Sequence, residues 1–350
     1  MSASLATVSP PDFELISDEI VTKHMAEKHI PGMSVAIVQD GALVFSKGYG
    51  KSSVEFDIAA TADTVYPISS VSRTLAGLLA VRLEEQGLLD LDAPISAYGI
   101  DLPADKQSIS VRHLLQHTHG LEDFYHSDDY VVDAGKSMDD STTEELIGWS
   151  LLQPLQSQPG DAWAYGVVGY VVLAQIFEQV GERPFTELVD QYVFKPLDIT
   201  ATYGGSEVLV DGRNPVLYEW LDDDLVGHVI GFSPRVYAAG GLNISVTEMA
   251  KVFAALSGEL FIDSDTKKNL WRNVDLANGK ASFYGLGWSS YTTSQDRWVV
   301  GHEGGGASWI IYYPDQDLAV IALSNMSGAR ADILPYEIAR AAFAAGLVAE

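Results

Sequence analysis

The 350-residue chain predicts an α+β fold: an antiparallel sheet flanked by helices, with a mainly helical subdomain inserted between the two parts of the sheet. Three observations predict it. A helical pattern and a hairpin signal open the chain, short strand-like runs and a helix close it, and the long middle is mostly helix and loop. The expected division is residues 1–88 plus 236–350 for the α/β-sandwich domain, and 89–235 for the helical subdomain with the active-site loops.

The elements follow in order. Phe13, Ile16, Ile20, Val21 and Met25 give residues 12–29 a helical pattern that ends before Pro31. Residues 34–38 and 42–46 are strand-like and flank Asp40-Gly41, a two-residue hairpin turn. An apolar helix begins near Ser70, runs to Glu85 and stops at Gly87. Periodic stretches at 110–117, 142–152, 168–181 and 184–192 predict helices in the middle region. That region also holds an acidic loop at 122–140 and a long loop bearing Tyr203, Tyr218, Trp220, Phe232 and Tyr237, expected to form a lid. A helix at 246–257 precedes strands near 286–291, 298–302, 308–313 and 318–323, and a final helix fills 330–345.

Composition bounds the function. Hydrophobic residues make up 47% and aromatics 10%, as expected of a globular enzyme. The formal charge of −27 disfavours nucleic acid or an anionic membrane as a partner. With no cysteine, disulfides, thiol nucleophiles and cysteine-ligated metals are excluded. The first residues lack a basic start and a continuous apolar run, so the expectation is a soluble cytoplasmic protein. A small-molecule substrate is expected and no cofactor; the oligomeric state is left open.

The chemistry concentrates where a serine starts a helix and a cation follows three residues later, one turn up on the same face: Ser70-Val71-Ser72-Arg73. Two further segments stand out, Tyr165-Gly166-Val167 just before another helix and His302-Glu303-Gly304 on a late strand. Together they resemble the serine β-lactamase and penicillin-binding-protein superfamily, most closely its class C β-lactamase, esterase and D-aminopeptidase branch. That group carries Ser-x-x-Lys, Tyr-x-Asn and Lys-Thr-Gly or His-x-Gly in this order. Residues 111–121, 159–170, 196–200, 239–242, 284–288 and 301–305 extend the likeness collinearly, over about residues 12–345. The resemblance implies Ser70 as nucleophile, Tyr165 as general base or acid, and His302 as a pocket residue that orients substrate or relays a proton. Arg73 would complete the catalytic set, and Val167, Glu303, Gly304, His119 and Tyr237 would contact substrate.

Three residues depart from the group's pattern. Arg73 replaces lysine and stays protonated, so it cannot act as a base. Val167 replaces an amide, leaving that wall apolar, and Glu303 replaces a small hydroxyl residue. These changes argue against β-lactam substrates and suggest an Arg73–Glu303 ion pair across the pocket. The one literal Ser-x-x-Lys with helical surroundings, Ser264 to Lys267, lies in a charged run where Ser264 reads as a helix N-cap. His113, His117, His119 and His126 lack the spacing of a metal site, and His117 is expected to pack in a turn. The leading reading is an acyl-serine hydrolase or acyltransferase for a small, mostly uncharged ester or amide. Alternatives on the same scaffold are a lyase, isomerase or cyclase using Tyr165, His302 or Glu303, and a catalytically silent binding member.

Overall fold

The computed structural model describes residues 12–125, 127–134, 137, 140–204, 213–329 and 333–349. Helix α1 (Phe13–Lys28) leads into the hairpin of β1 (Gly32–Gln39) and β2 (Ala42–Ser53), then β3 (Ile58–Ala59), β4 (Tyr66–Pro67) and α2 (Ser72–Glu85). Helices α3 (Val111–Leu115), α4 (Asp128–Ala134), α5 (Thr143–Leu152), α6 (Val168–Gly181) and α7 (Phe185–Val189) follow. Short strands β5 (Thr202–Tyr203), β6 (Leu217–Leu221), β7 (Asp224–His228) and β8 (Leu242–Ile244) precede α8 (Val246–Ser257) and α9 (Ser264–Trp271). The chain closes with β9 (Ser289–Thr292), β10 (Trp298–Gly304), β11 (Ser308–Tyr313), β12 (Leu318–Ser324) and α10 (Leu334–Ala344).

The main sheet is antiparallel and runs β3-β2-β1-β12-β11-β10-β9, so strands from both ends of the chain meet at its centre. Val35 opposes Ala322 and His302 opposes Ile310. Alternation along β1 sends Met33, Val35 and Ile37 to one face and Ala36 and Val38 to the other, and both sets are buried. Helices α1 and α10 cover the first face through Val21, Ile338 and Ala342. The second face joins α2 and α8 in one apolar cluster that continues into α3, α5, α6 and α7.

Local chemistry sets the element ends. His29 closes α1 in the left-handed conformation at φ 52°, with its N–H on Met25 O. Asp40 and Gly41 take positive φ, as the tight turn between β1 and β2 requires. At α9 the N-cap is Asp263, whose carboxylate accepts from Thr266 N, and Ser264 is the first helical residue, which corrects the expected cap. The aromatic loop also differs from expectation. Residues 217–228 form a β6–β7 hairpin, with Tyr218 N donating to Asn325 O and Trp220 Nε1 to His29 O, so Tyr218 and Trp220 are tied to the sheet end rather than to a lid. No helix among the described residues is long and apolar enough to cross a membrane.

Candidate active site

Ser70 sits in a short 3₁₀ turn, Ser69–Val71, that feeds directly into α2. Two contacts fix this turn. Ser72 Oγ donates to Ser69 O at 2.7 Å and accepts from Leu242 N at 3.2 Å, fastening the turn to β8. On the other side Gly304 of β10 packs so closely that a Cβ there would lie 2.1 Å from Ile68 O. Only glycine lets the strand approach the serine segment this far. Neither the 3₁₀ turn nor α2 has a side-chain cap at its N-terminus. Ser70 is half-buried, and neither its hydroxyl nor its N–H has a hydrogen-bond partner among the described residues. It lines a cavity of about 500 Å³ whose other walls include Phe124, Tyr165, Val167, Phe232, Arg235, Val236 and Gly305.

Arg73 points from α2 into the protein and is 1% exposed. Nη2 donates to Gly166 O at 2.9 Å, and the guanidinium carbon lies 4.2 Å from the Tyr165 ring centre and 5.1 Å from that of Tyr170. Nε and Nη1 have no hydrogen-bond partner. Burial lowers its pKa, opposed by surrounding groups that include Asp123, yet an arginine remains charged. The Arg73–Glu303 ion pair suggested by the sequence does not form, because the guanidinium is committed to Gly166 and two phenol rings while Glu303 is exposed on β10. Nor does Arg73 bond to Ser70 or to the Tyr165 hydroxyl.

The Tyr165 segment is held from below by Asp123. Its Oδ2 accepts from Val167 N and from Val168 N at 3.1 Å, and Oδ1 accepts from Tyr125 N at 2.8 Å, so a carboxylate caps the positive end of α6. A Cβ on Gly166 would lie 2.1 Å from Asp123 Oδ2, so a larger residue there would push the Asp123 carboxylate off the two N–H groups it caps. His117 packs against Tyr165, ring centres 4.6 Å apart, and against Tyr170 and Tyr284. Burial, reinforced by the charge of Arg73, holds His117 far below the ordinary histidine range, so it is neutral packing.

A second cavity of about 700 Å³ lies on the other side of Tyr165, which lines both. His302 and Glu303 face this second space, not the one beside Ser70. His302 is buried, with Nε2 2.8 Å from Tyr284 Oη and Nδ1 against Glu303 O. A carbonyl can only accept, so Nδ1 carries the proton and Nε2 accepts from Tyr284. Burial, helped by the Arg73 charge, pushes His302 down to about 3. It is a satisfied neutral histidine whose ring nitrogens are both engaged.

The structure therefore brings Ser70, Arg73, Tyr165 and Val167 to one cavity and places His302 and Glu303 next door. His119 lines neither cavity: Nδ1 accepts from Leu121 N, its other nitrogen faces Gly169, and burial pushes it down to about 4. Tyr237 packs on Tyr203 instead, and its neighbours Val236 and Ala239 line the Ser70 cavity. Gly304 serves close packing. His113 completes a capping box at α3, and His126 lies outside the described residues. Sequence reasoning missed Asp123, Arg235 and Tyr284, whereas Phe232, expected on the lid loop, does line the Ser70 cavity. Asp123 had a visible signal, an acidic residue in a turn following His117 to Gly120, but its target helix is 44 residues away.

Comparison with known proteins bears on the fold and the family. The Staphylococcus aureus (strain N315) protein flp is 24% identical over 331 residues, covering 89% of this chain and 62% of flp, so the chain spans about three fifths of that relative. The octameric penicillin-binding protein homologue from Pyrococcus abyssi superposes with a TM-score of 0.79 at 26% identity, covering 94% of this chain and 77% of that one. EstCE1, a hydrolase with promiscuous acyltransferase activity, matches at TM-score 0.81 and 18% identity over 95% of this chain and 98% of its own. The profile of one family, Beta-lactamase, matches residues 17–343. With nearly the whole chain matched and the fold shared with these structures, the protein belongs to the Beta-lactamase family.

Proposed function

We propose that the protein is a serine hydrolase or acyltransferase that acts on a small, mostly uncharged ester or amide through an acyl-Ser70 intermediate. The carrying observation is Ser70 itself: an accessible hydroxyl, with an uncommitted backbone N–H, on the wall of a cavity that Phe124, Val167, Phe232 and Val236 line together with Arg73, Ser233 and Arg235. In this reading Ser70 Oγ attacks the carbonyl carbon and its proton passes to the Tyr165 oxygen. Arg73, fixed beside the ring, balances the negative charge on that oxygen and has no role as a base. The Ser70 N–H, at the start of a helix, faces the charge developing on the carbonyl oxygen. Tyr165 then returns the proton to the leaving group, and water or another acceptor releases the acyl group. The likeness in fold to EstCE1 supports an ester as substrate and a choice between water and another acceptor.

A second reading, non-hydrolytic acid–base chemistry by Tyr165, draws on the absence, among the described residues, of any hydrogen bond to Ser70 Oγ from a candidate base. One experiment separates them. Wild type should hydrolyse p-nitrophenyl butyrate and Ser70→Ala should not. Equal turnover by both proteins would overturn the acyl-serine mechanism.

A further inference from the structure

We infer that the 700 Å³ cavity beyond Tyr165 is a binding subsite for an aromatic leaving group or acyl acceptor, an aryl-bearing alcohol or amine. The inference deepens the hydrolase reading, on which it rests for the role of the bound group. Its volume is ample for one ring, within the range usual for small-molecule sites of about 300–1,000 Å³. Its walls present aromatic faces to solvent. Phe283 is 59% exposed, Trp163 39% and Tyr165 37%, and Tyr284 and Tyr291 are the other tyrosines on its walls. Exposed rings gathered in a concavity are a binding feature, because each can stack on or edge against a guest ring.

Phe283 supplies an independent observation. Its φ is +51°, a left-handed conformation that a bulky residue adopts only when its surroundings impose it. The surroundings do so. Ser282 Oγ accepts from Val274 N at 3.0 Å and donates to Tyr284 O at 3.1 Å, and Phe283 O accepts from Ser290 N at 2.9 Å. The backbone on both sides of Phe283 is thus tied down and the ring turned outward. Strain spent on exposing a phenylalanine, where folding alone would bury it, marks a contact with something outside the chain.

The floor suits a neutral ring. Tyr284 and His302 bond to each other, and His302 is uncharged, so the deepest polar groups are already satisfied and ask nothing of a ligand. Glu303, Asn278 and Lys280 supply polarity among the remaining lining residues. Continuity with the reactive centre fixes the role. Tyr165 is common to both cavities, and Glu303 lines one while Gly305, two residues on, lines the other. Two extended residues span at most about 7 Å, so a carbonyl at Ser70 can hold its acyl part in the smaller cavity and direct its alcohol or amine part into the larger.

Two measurements test this separately from the hydrolase reading. In the first, wild type, Phe283→Ala and Trp163→Leu are compared on benzyl butyrate and propyl butyrate, which share an acyl group. Wild type should prefer the benzyl ester by about tenfold in kcat/KM, and each variant should lose most of that ratio. An unchanged ratio in both folded variants, checked by circular dichroism, overturns the subsite. In the second, saturation-transfer NMR with benzyl alcohol is run on Ser70→Ala, with and without Phe283→Ala. Transfer that disappears with Phe283 supports the subsite even if no ester is turned over, in which case only the hydrolase reading fails. Transfer absent from Ser70→Ala, or unaffected by Phe283→Ala, overturns the subsite.

Discussion

Replacing Arg73 by methionine should separate stability from activity. On the stability side, the substitution removes one charge-assisted hydrogen bond, worth about 2 kcal/mol, and two cation–π contacts worth about 1 kcal/mol each. It also removes the desolvation penalty of a guanidinium that is 1% exposed and in no ion pair, a penalty of several kcal/mol. These terms nearly cancel, so the net change should stay within about 2 kcal/mol of zero. Unfolding entropy scales as about 2.1 cal/mol/K per residue, so for 350 residues this is a Tm shift of only about 3 °C. Activity should behave differently. The guanidinium carbon is 4.2 Å from the Tyr165 ring centre, so the phenol oxygen lies within about 7 Å of the charge, which at an effective dielectric near 20 contributes at least about 2 kcal/mol, or roughly fiftyfold in rate. The assay pairs a thermal melt with kcat/KM on p-nitrophenyl butyrate. Wild-type activity in Arg73→Met would refute the electrostatic role of the arginine. A Tm drop of more than 10 °C would refute the statement that its burial and its contacts offset each other.

Other outcomes follow from the same geometry. Asp123→Ala leaves two N–H groups of α6 without their acceptor and should cost about 2 kcal/mol, with a larger fall in kcat than Asp123→Asn, as chemical denaturation and kinetics will measure. Gly304→Ala drives a methyl into Ile68 O, so it should cost at least about 2 kcal/mol and displace Ser70, read as a slower reaction with a fluorophosphonate. The pH dependence of stability has a definite sign. His302 is held at about 3 and His119 at about 4, below the ordinary 6.5, so the unfolded chain binds more protons in that interval. Stability should therefore be full above pH 6.5 and fall as pH drops towards 4, and His302→Gln should flatten that slope in melts taken across the interval.

How far the sequence carries depends on whether a residue acts locally. Strand β12 is buried at every position, and an uninterrupted apolar run is legible as such. The Asp40-Gly41 turn and helix α8 are set by their own residues, and both appear at the expected places. Ser70 lies in the 3₁₀ turn that feeds directly into α2, which carries Arg73, and Tyr165 and Val167 share the start of α6, so their meeting needed only these two segments to pack. The β6–β7 hairpin was missed although Asp222 and Asp223 both adopt positive φ, because aspartate is a weaker turn signal than Asn-Gly. His302 and Glu303 were assigned to the Ser70 cavity because sequence order does not tell which side of Tyr165 a strand edge faces. The Arg73–Glu303 pair failed for a related reason: formal charge balance suggests a partner, but the arginine found ring faces and a carbonyl. Asp123 depends on a contact with a segment 44 residues away, and Phe283 on an irregular local hydrogen-bond net of Val274, Ser282 and Ser290; periodicity is silent on both.

The central claim is that Ser70 is the reactive group although its neighbour is a fixed cation and not a base. Intact-mass and peptide-mapping analysis after treatment with a fluorophosphonate tests it most directly. One adduct is expected, on the peptide containing Ser70, absent from Ser70→Ala and strongly slowed in Tyr165→Phe. A wild-type protein that hydrolyses esters while Ser70 stays unmodified, or an adduct on another residue, would contradict it.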